Sequence, residues 1–305
     1  MRASVTAPLT AAAITLATLS VRAQRDDALD VVLTRMGAYV EAYGDTLTAL
    51  VADEDYVQQL RRPLGGAVES RTLRSEVFYF RPPGSPDWVG FRNVLAVDGR
   101  DVRTDDLRLK DVFEQHPMGA MSAARRIADE SARYNLGPIL RNFNMPATVL
   151  QFLHPDRQAR FSFKKKGETK DDGRLEWVVS FDERGSPTII RTTEGKDVRS
   201  KGRVWVEPDT GRVTRTELVL DDFAPPVRSA FGDDEIRSFA EVTVTWRPEE
   251  ALGAWVPAEM RERYEGPWGV GSDDPLMRLR YTVTGVAVYS NIRRANVDVR
   301  LLVPK

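Results

Sequence analysis

The chain reads as an α+β protein: a strongly curved antiparallel sheet, an open β-barrel of roughly ten strands, covered by a long N-terminal helix and an inserted helical segment. Three observations predict this. An apolar stripe at three- and four-residue spacing follows the N-terminus. Most of the chain from Ala159 onward alternates with period two. The connections between these alternating runs are short, so neighbours in sequence pair antiparallel.

The clearest element is Gly202 to Leu220, GRVWVEPDTGRVTRTELVL, which reads as one β-hairpin around the turn Pro208-Asp209-Thr210-Gly211. Pairing Glu207 with Arg212 sets Val206 opposite Val213 and Trp205 opposite Thr214. Both faces are then mixed, as in a twisted strand pair that passes from covered core to an exposed rim.

In chain order, Met1-Arg2, the small apolar run Ala7 to Ser20 and Val21-Arg22-Ala23 make a secretory signal peptide over residues 1–23, cleaved near Ala23/Gln24. Asp26 to Leu60 is then expected to be helical. Leu29, Val32, Leu33, Met36, Tyr39, Val40, Tyr43, Leu47, Leu50 and Val51 form its stripe, and Gly44 is the expected point of a bend or interruption. Leu73 to Phe80 and Trp88 to Val97 read as strands, split by Pro82-Pro83-Gly84 and closed by the tight turn Asp98-Gly99. A helical insertion spans about 104–153. It holds a helix capped at Thr104, a second from Met118 to Tyr134 and a short apolar one from Thr148 to Leu153.

Arg160 to Lys164 leads as a strand into a loop, Lys165 to Gly173. Leu175 to Phe181 puts Leu175, Trp177, Val179 and Phe181 on one face. Thr188 to Thr192 precedes the hairpin. Phe239 to Arg247 puts Ala240, Val242, Val244 and Trp246 on one face. Trp255 to Tyr264 carries Pro257 as the mark of an edge or bulge. Leu279 to Tyr289 and Val297 to Val303 close the chain. No internal repeat divides residues 24–305, which read as one domain with an embellishment.

Composition narrows function. Lys+Arg 44 against Asp+Glu 45 leaves no electrostatic footprint for nucleic acid. Cysteine is absent, so no disulfide and no lipobox occur, and the core alone must supply stability. No later apolar run is long enough for a transmembrane segment. The expected location is periplasmic or secreted.

Nothing reaches a catalytic signature. The two histidines, His116 and His154, sit beside prolines at helix ends, where a capping or surface role is expected. Acid pairs and triples such as Asp53-Glu54-Asp55 and Asp233-Asp234-Glu235 lack the calcium-loop spacing and read as solvated loop acids. Glu259 and Glu262 fall on opposite faces of one strand, so they cannot flank one sugar; charge pairing on an exposed face is the expectation. No catalytic residue, metal ligand or cofactor is assigned.

What remains is apolar strand surface that one helix cannot cover. Phe161, Phe163, Trp177, Val179, Phe181, Val242, Val244, Trp246, Met260 and Tyr281 are the expected lining of a hydrophobic cavity; otherwise the insertion fills that space and they are plain core.

Several stretches carry a family resemblance. They are Leu73-Arg74-Ser75-Glu76, Trp88 to Arg100, Glu130 to Asn135, Gly202 to Trp205 with Thr210-Gly211-Arg212, Trp255 to Met260, and Tyr289 to Arg294. Together they resemble a set of uncharacterised exported bacterial proteins, and the overall pattern is similar to the LolA/LolB-like lipoprotein-carrier fold. The resemblance implies an unclosed barrel with helices across its mouth, binding a lipid or lipoprotein acyl chain or another hydrophobic partner without catalysis. The alternative is a cell-envelope protein–protein interaction module with an envelope protein partner, using Arg203, Arg215, Glu217, Arg261 and Glu262 on a charged convex face.

Overall fold

A computed structural model describes residues 12–62, 65–81, 87–102, 127, 130–138, 141, 143–192, 194–229, 232–267 and 278–294, with side chains from residue 28 onward. Residues 1–11, most of the expected helices between 104 and 134, His116, Pro82-Pro83-Gly84 and the expected strand Val297 to Val303 lie outside the described residues.

Helix α1 spans Ala12–Leu47, and α2 (Thr148–Phe152) and α3 (Pro155–Gln158) lie between strands β4 and β5. The first strands are β1 (Leu50–Arg61), β2 (Glu69–Phe80), β3 (Val89–Val97) and β4 (Arg100–Asp101). After the helices come β5 (Phe161–Asp171), β6 (Arg174–Glu183), β7 (Ile190–Arg191), β8 (Asp197–Val198), β9 (Ser200–Val206) and β10 (Val213–Asp221). The chain then forms β11 (Val227–Arg228), β12 (Glu235–Ile236), β13 (Phe239–Glu249), β14 (Ala254–Pro267) and β15 (Arg280–Arg294).

Eleven strands form one sheet in the order β4-β3-β2-β1-β15-β14-β13-β10-β9-β6-β5. Every pairing is antiparallel. The end strands β4 and β5 do not pair with each other, so the sheet is not closed into a barrel. It is nevertheless strongly curled. A Cβ on Gly44 of α1 would stand 2.9 Å from the ring of Trp88, which leads into β3. The adjacent Tyr43 meets Trp246 of β13 edge-on, with ring centroids 5.7 Å apart. Five strand spacings separate β3 from β13, about 24 Å on a flat sheet, while a helix with its side chains is only about 10–12 Å wide. Both contacts are met because the sheet wraps around α1. Gly44 therefore serves a close approach to Trp88, and it does not interrupt the helix.

The expected helix from Asp26 to Leu60 stops at Leu47. Val32, Met36, Val40, Tyr43 and Leu47 are buried as its stripe predicts, but Leu50 to Leu60 is β1. Leu50 and Val51 continue the helical spacing by coincidence. Beyond them the period is two, with Ala52, Glu54, Tyr56, Gln58 and Leu60 buried and Asp55, Val57 and Gln59 exposed.

The expected loop Lys165 to Gly173 is also mostly strand. β5 runs on to Asp171 with a bulge between Lys165 and Gly167, and Asp172-Gly173 makes the turn at positive φ. As the end strand of the sheet, β5 carries Lys164, Lys165 and Lys166 at its bulge. Charge and irregularity of this kind block pairing with another chain. Pro257 does mark a bulge. The register of β13 with β14 shifts there, between Thr245 and Trp246, in the middle of the sheet and not at its edge.

The hairpin at 202–220 forms with Val206 opposite Val213, but Trp205 faces Arg215 and not Thr214. A bulge at Thr214 adds one residue and reverses the parity beyond it. Val204, Val206, Val213, Thr216, Leu218 and Leu220 thus all point into the core. Arg203, Trp205, Arg215 and Glu217 share the outer face. The mixed faces of the sequence come from this bulge, not from a passage between core and rim.

Candidate ligand-binding face

The inner face of the sheet, α1, α2 and the side chains of Leu136, Phe143, Ala147 and Leu153 enclose one continuous core. Eight of the ten expected lining residues are in it: Phe161, Val179, Phe181, Val242, Val244, Trp246, Met260 and Tyr281. Phe163 and Trp177 are partly buried against it. They do not gather at one point. Phe161 and Phe181 meet Phe152 of α2, and Phe163 meets Phe161, in an aromatic group with centroid separations of 5.3–6.1 Å. Val242, Val244 and Met260 form the middle of the face across β13 and β14. Trp246 packs on α1. Tyr281 stands near the far end of β15 opposite Gly266, and Trp177 lies under the Lys165 ammonium, 3.3 Å from the ring centroid.

The aromatic group borders an open cleft of about 370 Å³ between the middle of α1 and the edge strand β5, lined by Leu29, Asp30, Leu33, Gln158, Ala159, Phe161 and Phe163. It falls within the roughly 300–1,000 Å³ of ordinary small-ligand pockets. Gln158 closes one side of it, with its amide donating to the Leu33 and Leu153 carbonyls at 2.9 Å. His154 begins α3 as its N-cap, its ring accepting from the Asp156 N–H. Its role is therefore a cap, as expected, although at a helix start and not on the last carbonyls of the preceding helix.

The middle of the inner face holds a charged network that the apolar code of the sequence conceals. Arg92 of β3 donates from Nε and Nη2 to the two oxygens of Glu54 on β1, and Tyr289 of β15 donates to Glu54 Oε1 at 3.0 Å. Tyr56 donates to Glu262 Oε2 of β14 at 2.7 Å. Arg141 bonds the Tyr56 hydroxyl, Gln58 Oε1 and the Leu136 carbonyl, and its Nη1 stands 3.8 Å from Glu262 Oε2. Both ion pairs are almost wholly buried, with side-chain exposures of 7% and 0% for Arg92 and Glu54 and 1% and 0% for Arg141 and Glu262. Gly285 makes room for this arrangement. A Cβ there would lie 2.8 Å from the Tyr56 ring and 3.1 Å from Glu262 Oε2.

Glu262 is therefore not part of the charged outer face; of these two glutamates, Glu259 lies there, paired with Arg261 at 2.6 Å. Glu54, expected as a solvated loop acid, is a fully buried strand residue. The missed residues did carry a signal. Glu262 shares the strand parity of Met260, and Glu54 that of Tyr56, so each is a charge at an inward position.

Electrostatics follow from burial. Burial works against the Arg92 charge, but Glu54 outweighs it and holds the guanidinium protonated, its pKa well above the ordinary value. Burial, reinforced by the Glu262 charge, pushes Tyr56 and Tyr264 up; burial and Glu54 do the same for Tyr289. These phenols are neutral at any physiological pH and act as hydrogen-bonding groups. Among the described residues no group of three or more His, Cys, Asp or Glu side chains is placed to hold a metal ion.

No family model matches the chain, and no curated protein matches it. Solved structures similar to it include a DUF1329 family protein from Desulfovibrio piger, with 14% identity over 87% of this chain and 93% of that one and a TM-score of 0.32. A LolA superfamily protein from Nitrosomonas europaea matches at 9% identity over 86% and 94%, with a TM-score of 0.30. A domain from Vibrio parahaemolyticus, assigned provisionally to outer membrane lipoprotein sorting, matches at 9% identity over 85% and 92%, with a TM-score of 0.35.

Proposed function

We propose that this is an exported, periplasmic or secreted protein, non-enzymatic, that binds a lipophilic ligand or lipoprotein acyl chain in the concave face of its curled sheet. The observation that carries the reading is the open cleft beside Leu29, Leu33, Phe161 and Phe163, which leads from solvent to the aromatic group on the inner face. Burying an alkyl chain there gains roughly 25 cal/mol per Å² of apolar surface before ordering costs. Phe161, Phe163 and Phe181 would meet the chain first, with Val179, Trp177, Val242, Val244, Trp246, Met260 and Tyr281 farther along the same face. Among the described residues no helix is long and apolar enough to cross a membrane.

The alternative, an envelope interaction module on the outer face, has less support. Arg203 is bidentate with Glu217, and Arg261 with Glu259, so these charges already satisfy one another. Native mass spectrometry after gentle purification tests the proposal. A retained small-molecule mass, or saturable uptake of a fluorescent fatty-acid probe, is expected. A clean apo mass with no uptake, together with a stoichiometric protein partner lost on charge reversal at Arg203 and Arg261, would replace this reading with the alternative.

A further inference from the structure

We infer that the open cleft between α1 and β5 selects a cationic amphiphile, with its apolar body on Leu29, Leu33, Phe161 and Phe163 and a positively charged head, such as an ammonium group, at Asp30. This rests on the lipophilic-ligand reading above and adds the charge class of the ligand.

The lining carries the inference. Of the seven residues that form it, two have polar side chains, Asp30 and Gln158. The amide nitrogen of Gln158 is already committed, because it donates to the Leu33 and Leu153 carbonyls at 2.9 Å. Thr34 donates to the backbone carbonyl of Asp30, but nothing among the described residues bonds the Asp30 carboxylate. What the side chains of the cleft leave to a ligand head is therefore acceptors and one negative charge, with no free side-chain donor.

The cations around the cleft are turned elsewhere. Arg35, just over one turn along α1, donates to the Pro208 carbonyl at 2.8 Å and stands 4.0 Å from Asp209. Arg160 donates to the Pro187 carbonyl and faces Glu183. On β5, Phe161 and Phe163 point inward, so Lys164 falls on the outer face. Lys165 bonds Glu168 and lies over the Trp177 ring. A carboxylate head in the cleft would meet Asp30 without a counter-charge. An ammonium head donates to that carboxylate, and the half-buried ring of Phe163 attracts the same cation. Asp30 is exposed, so the head keeps much of its hydration and the preference has the size of a surface ion pair.

The test uses the whole mature protein and three probes with one alkyl chain, decylamine, decanol and decanoate, each competing at neutral pH with the neutral dye N-phenylnaphthylamine. Decylamine should bind about two- to fivefold more tightly than decanol, and decanoate more weakly than decanol by a similar factor. Both differences should shrink between low salt and about 0.15 M salt. Asp30→Asn should bring the three affinities together and leave decanol unchanged. Asp55→Asn, which removes one charge from the outer face, should leave the order intact. The wild-type series decides the matter even if a variant fails to fold. Three equal affinities, decanoate the tightest, or an order erased as fully by Asp55→Asn as by Asp30→Asn would overturn the cationic head and leave the lipophilic reading standing. No binding by any probe would remove both.

Discussion

Arginine and glutamate meet on both faces of this sheet, and the two faces use them differently. Outside, Arg203 with Glu217, Arg261 with Glu259 and Arg263 with Glu265 lie across or along neighbouring strands, with 49–65% of each arginine side chain in water. Inside, the same two residue types are bidentate at Glu54 and nearly in contact at Glu262, with at most 7% exposed. An exposed pair gains little because water screens it. A buried pair repays its desolvation only if every member is held, so the loss of one partner strands a charge. The outer ladder is thus a solvated surface, while the inner network fixes which parts of the chain must meet. Arg92, Glu54 and the Asn144 carbonyl tie β3 and β1 to the segment that precedes α2.

The sharpest break in this contrast is Arg92→Met. It should destabilise the fold by about 3–5 kcal/mol through the stranded Glu54 carboxylate, read as a drop in the urea midpoint at constant slope. The double change Arg92→Met with Glu54→Leu should recover much of that loss, whereas a double variant as unstable as the single one would show that the carboxylate is not what costs. Next comes Gly285→Ala, where the new methyl meets the Tyr56 ring at 2.8 Å. A loss of about 1–3 kcal/mol is expected, and an unchanged midpoint would mean that Tyr56 does not lie as described. Smallest is Arg261→Ala on the outer face, expected to cost under about 1 kcal/mol and to fade with added salt.

Alkaline pH separates the faces as well. Burial raises Tyr39 from 10.0 to about 12, Arg212 pulling against it, and the deeper phenols of Tyr43, Tyr56, Tyr264 and Tyr289 are raised too. Folding therefore favours the protonated phenol. That stabilisation is complete below pH 10 and is lost as pH rises through the folded values. The melting temperature should fall steadily above pH 10, in step with tyrosinate absorbance. A melting temperature that stays flat to pH 12 would contradict the burial of these rings.

Much of the fold was legible because apolar alternation is a direct record of one covered face. β13 is the plain case, with Ala240, Val242, Val244 and Trp246 all inside. Where the structure departs from the alternation code, the reason is physical. β1 hid because two of its inward residues, Glu54 and Gln58, are polar and its first two extend the helical stripe of α1. The parity of β10 hid because a bulge at Thr214 inserts a residue that sequence spacing cannot show. The site was half legible. Phe161, Phe163 and Phe181 were readable as apolar surface, while Arg92 and Arg141 were not, because nothing local to an arginine says that a glutamate from a distant strand awaits it.

The central claim is that ligand enters on the inner face. Titration of N-phenylnaphthylamine into the wild-type protein, Phe163→Glu at the cleft and Trp205→Glu on the outer face tests it most directly. The account predicts saturable fluorescence in the wild type and in Trp205→Glu and its loss in Phe163→Glu. No saturable signal in the wild type, or a loss confined to Trp205→Glu, would contradict it.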